Sequence, residues 1–237
     1  MKNAVFYFLL FSSLAVASFD IKAATFPASY QATYTVSRGG KAMAEQTTTF
    51  KSVSPNQYTL TDVTKGTHGL ASFTGFERTE TTHFQFEHNQ TIAVEHNMQQ
   101  KVAFKSKSYQ FKALATENTI SGQGKQAFTL ETTIKPISSH MLPLWLSIQA
   151  CDDTKQLTNH INVPVLKSKR IKIYEFSIID ESPQLYRVDR IYPTDTQRSS
   201  QIWLDKNKQC LPIKTQHREP EEPVIETNLS THKLIKL

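Results

Sequence analysis

A chain of 237 residues, 38% hydrophobic and 20% charged, holds enough apolar material to fold unaided, and it is neither disordered, collagen-like nor a polytopic membrane protein. Its formal net charge of +6 and pI near 9.2 favour anionic partners. Twenty-seven Thr, 14 Phe and 8 Tyr tilt the composition toward the β-branched and aromatic residues that suit pleated sheet.

Residues 1–24 carry Lys2, an apolar run from Ala4 to Val16, and small residues that offer cleavage after Ala17 or after Ala23. This is the pattern of a secretory signal peptide, and its run is shorter than the ~20 residues of a spanning helix. No Cys lies near the cleavage region to take a lipid. The expectation is a periplasmic protein whose mature part, 25–237, is a single β-roll domain with no transmembrane anchor. Losing Lys2, Lys22 and Asp20 leaves it at +5. An exported basic chain points away from nucleic acid and toward a lipid or another envelope component. Cys151 and Cys210 make an even count in an oxidising compartment and are expected to form one disulfide. With no Cys-x-x-Cys and no nearby His pair they form no metal site.

In chain order, Tyr30, Ala32, Tyr34 and Val36 alternate with polar neighbours, and Arg38-Gly39-Gly40-Lys41 turns the chain into Met43–Val53. Pro55-Asn56 leads to a third strand, Tyr58–Val63. Residues 66–75 (GTHGLASFTG) break the alternation and read as a loop or bent crossover. From Phe76 the period of two returns through Phe84 and Phe86, turns at Asn89-Gln90, and continues through Ile92–Val94, Val102–Phe104 and Tyr109–Ala113. In Ser138–Ala150, Leu142, Trp145, Leu146 and Gln149 fall at helical spacing, with Ser139 placed to cap and Pro143 in the first turn. Five more strands follow: Arg170–Ile179, Leu185–Tyr192, Gln201–Leu204, Leu211–Arg218 and Val224–Ile235. The reading is mainly β: a curled antiparallel sheet, a roll or incomplete barrel, with one short mid-chain α-helix.

Four segments carry a resemblance to a known family. They are Phe26-Pro-Ala-Ser-Tyr30 with its alternating strand and Gly39-Gly40 turn; Ala44-Glu45; the Ser138-Ser139 entry to a Leu-rich helix; and Trp203-Leu204-Asp205 followed by Leu211-Pro212-Ile213. From Phe26 to Leu234 the chain resembles the exported bacterial proteins grouped as domain of unknown function 3108. It departs from them at Ala44, where relatives have Gly, and at Ala93-Val94, where they often have Arg-Pro. The resemblance implies a curled antiparallel sheet in the Gram-negative periplasm and brings no established activity. In outline it is similar to the half-barrel carriers that shield lipoprotein acyl chains.

Chemistry is sparse. Gly69-Leu-Ala-Ser72-Phe lacks the closing glycine of a nucleophile elbow, and Gly122-Gln-Gly124-Lys125 lacks the spacing and hydroxyl of a phosphate loop. His83, Glu87, His88, Glu95 and His96 cluster in sequence, but His83 and His88 take opposite parity on a strand, so they read as a solvated polar face. Glu77, Arg78 and Glu80 read as cross-strand pairs. The expectation is therefore a non-enzymatic protein with no catalytic residue, metal or cofactor. Apolar and aromatic side chains should gather on the concave surface around an apolar or lipidic ligand, with ions outside. Tyr34, Phe84, Phe104, Phe111 and Trp145 are the expected lining residues. The alternatives are a solid-cored envelope protein working through a sheet edge or basic face, and a metal-assisted hydrolase on His83, Glu87 and Glu95.

Overall fold

Period-two alternation organises almost every segment of the computed structural model, which describes residues 26–235 apart from 88, 89, 115, 152–159 and 195. The expected signal peptide and His88 lie outside the described residues. The first half is a meander: β1 (Tyr30–Arg38), β2 (Lys41–Ser54), β3 (Gln57–Gly66), β4 (Glu77–Glu87), β5 (Gln90–Val102), β6 (Lys105–Ala113), β7 (Thr119–Gln123) and β8 (Ala127–Glu131), with the short helix α1 (Gly69–Phe73) between β3 and β4. Each strand pairs antiparallel with the next. The first turn needs two left-handed residues, and Gly39 and Gly40 supply them at φ 57° and 77°.

The second half begins with β9 (Ile137–Ser138) and α2 (Leu142–Ala150). It continues as a second meander of β10 (His160–Lys167), β11 (Arg170–Ser182), β12 (Leu185–Ile191), β13 (Ser199–Asp205), β14 (Leu211–Arg218) and β15 (Ile225–Leu234). β15 pairs with β1 along its whole length, from Tyr30 opposite Leu234 to Arg38 opposite Ile225. One 15-stranded sheet results, in the order β8 to β1 and then β15 down to β9. It is large, curled and unclosed, as the alternation predicts. Its two edges, β8 and β9, come from the middle of the chain.

The edges meet through side chains instead of backbone ladder. Tyr109 on β6 donates its hydroxyl to the Ser168 carbonyl in the β10–β11 turn, and Lys169 donates to Gln126 Oε1 at 3.0 Å. Pro164 and the two-residue β9, which pairs in parallel with only Val165 and Leu166, limit what β10 can offer a further strand.

Helix α2 fills the curl. It is apolar nearly all round because it is enclosed: Leu144, Leu146 and Ile148 are buried, as is Met141 just before it. Ser138 Oγ, not Ser139, accepts from the Met141 N–H at 3.1 Å. Ser147 donates to the Cys210 carbonyl at 2.6 Å, and the expected Cys151–Cys210 disulfide, with Cα atoms 6.1 Å apart, ties the helix end to the start of β14. Among the described residues no helix is long and apolar enough to cross a membrane.

Three expectations need correction. Residues 66–75 are not simply a loop: Gly69–Phe73 is helical, and it presses on Gly66, where a Cβ would meet the Ala71 carbonyl oxygen at 2.3 Å. Phe104 does not line the interior. β5 runs through to Val102, and the turn at Ala103, with φ 49°, swings Phe104 fully into solvent at 105% exposure. Ions are also not confined to the outer surface, since Asp62, Arg78 and Glu80 share the inward face of β3 and β4.

Cross-linking residues 59 apart in sequence stabilises a fold by up to about 4 kcal/mol through the entropy of the unfolded chain. Urea unfolding with and without reductant is expected to show a loss of about 2–4 kcal/mol, and the Cys151→Ser, Cys210→Ser pair should match the reduced protein.

Candidate functional site

The open seam holds a cleft of about 670 Å³ between β5–β8 on one side and β10–β11 on the other. Met98, Phe111, Phe128 and Leu166 form its apolar wall, with Tyr109 beside them. Lys107, Lys125, Lys167, Lys169, Arg170 and Lys172 stand around it, all exposed. Among the described residues none of these six pairs with a carboxylate. Gly122 gives the wall its shape, because Phe128 lies across it: a Cβ there would meet the Phe128 ring at 2.3 Å. Burial pushes the Tyr109 hydroxyl up to about 12, so it stays a neutral donor to Ser168 at physiological pH.

Beneath the cleft, the inward parity of β3, β4 and β5 changes from apolar to polar. Asp62, Arg78, Glu80, Thr82 and His96 share that face with Leu60, Phe84 and Val94, because Thr82 stands opposite His96 in register. Ser138 and His140, from the entry to α2, complete the cluster. Thr82 Oγ1 lies 2.9 Å from His96 Nδ1, 2.8 Å from His140 Nδ1 and 3.2 Å from Ser138 Oγ. His96 Nε2 lies 3.7 Å from Glu80 Oε2, and Arg78 Nε lies 2.6 Å from Glu80 Oε1. His140 Nε2 is 3.4 Å from Asp62 Oδ2, which also accepts from Gln46 at 2.8 Å. A closed aromatic group, Phe26, Phe50, Tyr58, Phe84 and Phe86, occupies another part of the interior.

The five expected lining residues are not brought together. Phe111 lines the seam cleft. Trp145 lines a second cavity of about 500 Å³ at the seam, beside Ile137 and Pro164. Phe84 is buried and borders a third, of about 470 Å³. Tyr34 is buried beside a void of about 50 Å³ and donates to the Pro212 carbonyl at 2.8 Å; burial and the Asp62 charge push its pKa well up. Of the histidine-rich hairpin, His83 is exposed and bonds Thr59 at 2.9 Å, while Glu95 pairs with Lys112. Among its described residues, only His96 turns inward. Glu77 does make the expected cross-strand pair with Lys65, whereas Arg78 and Glu80 face the interior. Asp62, Thr82, Ser138 and His140 escape sequence reading because no spacing links a strand residue to a helix entry more than fifty positions later. Strand parity alone could have joined Glu80, Thr82 and His96.

Burial, then His140 and the Arg78 guanidinium, push the His96 pKa from 6.5 down to about 3. The unfolded chain therefore takes up this proton near pH 6.5, while the folded chain refuses it until about pH 3. This group's contribution to stability is complete above 6.5 and is lost as pH falls through that window. In metal-free buffer, urea unfolding at pH 7 and pH 5 is expected to show wild type losing about 2 kcal/mol more than His96→Gln. Equal losses would overturn the assignment.

No family model matches the sequence, and no curated protein matches it. Solved structures do. A β-barrel-like protein of domain of unknown function 1849 from Brucella abortus superposes with a TM-score of 0.60 at 8% identity, over 90% of this chain and 100% of that one. The hypothetical protein CT021 from Chlamydia trachomatis gives a TM-score of 0.33 at 12% identity, over 89% of each chain. The first likeness places the chain among β-barrel-like folds, and at that identity it speaks to the fold alone.

Proposed function

We propose that this is a non-enzymatic, exported periplasmic protein that holds an anionic amphiphile, an acyl chain with a carboxylate or phosphate head, in the cleft at the open seam. The carrying observation is the joining of two chemistries in one cavity: an apolar wall of Met98, Phe111, Phe128 and Leu166 below six exposed cations without carboxylate partners among the described residues. Each methylene moved from water onto such a wall contributes about 0.8 kcal/mol, and the ring of cations selects the sign of the head. A cavity of about 670 Å³ is of a size that takes a small molecule. The export signal read in residues 1–24 and the resemblance to the domain of unknown function 3108 proteins support the compartment. The disulfide agrees with an oxidising one.

The test is displacement of a fluorescent fatty-acid probe, with native mass spectrometry of protein from the periplasm. A co-purifying lipid is expected, with probe affinity that falls as salt rises. Lys169→Glu with Lys172→Glu should weaken binding about tenfold, roughly 1.4 kcal/mol. Absence of both lipid and probe binding, or affinity indifferent to the charge reversal, would sink the proposal.

One observation favours a second reading, an envelope protein that docks on a surface. Leu70, Phe73 and Phe104 are 81%, 88% and 105% exposed, on segments joined by a hydrogen bond of 2.6 Å from the Ala103 N–H to the Thr74 carbonyl. Large apolar side chains gathered at one tip, with Lys101 and Lys105 nearby in sequence, suit a lipid surface. Phe73→Ser with Phe104→Ser is expected to abolish co-sedimentation with anionic vesicles and to leave probe binding intact. Unchanged sedimentation would remove this reading.

A further inference from the structure

The proton count around Thr82 leaves a charge problem that the amphiphile reading does not touch. Its hydroxyl contacts His96 Nδ1, His140 Nδ1 and Ser138 Oγ, yet it owns one proton. It can donate to one of the three. At least one imidazole must therefore donate its own Nδ1–H to Thr82, and a neutral imidazole that does so leaves Nε2 bare. Both Nε2 atoms face carboxylates: His96 toward Glu80 at 3.7 Å, His140 toward Asp62 at 3.4 Å. His140 Nε2 is buried and has no hydrogen-bond partner, on a side chain only 2% exposed, and Asp62 Oδ1 is also buried without one. A bare nitrogen aimed at a carboxylate in a buried position sets two lone pairs against each other. A cation between them turns that repulsion into ligation.

We infer that Glu80, His96 Nε2 and His140 Nε2 form a binding site for a divalent transition-metal ion of the zinc type. One carboxylate oxygen of Glu80 and one ring nitrogen of each histidine lie within 4.8 Å of one another. Two imidazoles and a carboxylate are a donor set that zinc accepts, and its bonds of about 2.0–2.1 Å would draw these side chains inward. Thr82 acts as the positioning residue. One hydroxyl fixes both rings through Nδ1, as the partners behind ligating histidines do. Arg78 holds the second oxygen of Glu80, leaving Oε2 for the ion. Entry is from the seam cleft, whose lining includes Glu80 and His96.

The experiment uses the full mature chain, stripped with a chelator. Zinc is titrated calorimetrically, and cobalt(II) is followed by its visible d–d bands. One tight equivalent of zinc is expected, with cobalt absorption intense enough to report four- or five-coordination. Glu80→Gln and His140→Gln should each remove the tight phase, and Thr82→Val should weaken it about 10–100-fold. Circular dichroism identifies which variants stay folded. Glu80→Gln, which removes charge but little volume, keeps the test open if a histidine variant unfolds. His83→Ala with His160→Ala, both surface histidines, should change nothing. Uptake that survives in folded Glu80→Gln, or that vanishes with the surface pair, marks adventitious binding and overturns the inference. So does no uptake at all. None of these readouts depends on the amphiphile.

Discussion

The pairing of β1 with β15 is the constraint from which the rest follows. It splices two meanders into one ribbon, so every strand near the chain ends is satisfied on both sides, and the ribbon's free edges are left to segments from the middle of the chain. A curled ribbon of this kind either closes by hydrogen bonding edge to edge or leaves a gap. Here closure is blocked locally: β8 is five residues long, β9 is two, and Pro164 removes a donor from β10. Side chains bridge what the backbone cannot, and the unfilled remainder of the seam is the cleft.

The interior behind the seam is not uniformly greasy. Aromatic rings and α2 occupy most of it, but a belt of Asp62, Arg78, Glu80, Thr82 and His96 runs along the same concave face, with His140 set against it from the entry to α2. Such groups cost several kcal/mol to bury unless each meets a partner, and an aliphatic belt of the same volume would pack with less penalty. The cluster therefore marks the part of the interior that hydrophobic assembly does not explain, and it lies against the cavity where a ligand would enter.

Much of the architecture was legible in the residues. Tyr30 to Val36 and Phe84 to Phe86 announced their faces because apolar and polar positions alternated cleanly, and Leu142 to Gln149 announced a helix because they did not. The edges of that legibility are physical. Val102-Ala-Phe104 reads as a continuing strand, yet only the φ of Ala103 decides that Phe104 leaves the sheet. The Thr-rich strands defeat a simple inside-outside assignment, since Thr82 is fully buried while Thr59 and Thr61 are not. The site was legible only in fragments. Glu80, Thr82 and His96 share a parity that hairpin pairing reveals, but His140 and Asp62 join them through the curl of the whole sheet, which no local pattern encodes.

The same splice has a bearing on how the chain can be rewired. The Ile235 N–H donates to the Ser29 carbonyl at 2.8 Å, so the two ends of the described ribbon sit a single hydrogen bond apart, while the stretch from Glu131 to Ile137 spans two strands that share no ladder. Linking the former and cutting the latter would give a circular permutant whose strand neighbours are all retained. In that molecule the seam would coincide with the chain termini, as it does in an ordinary up-and-down barrel opened at one edge.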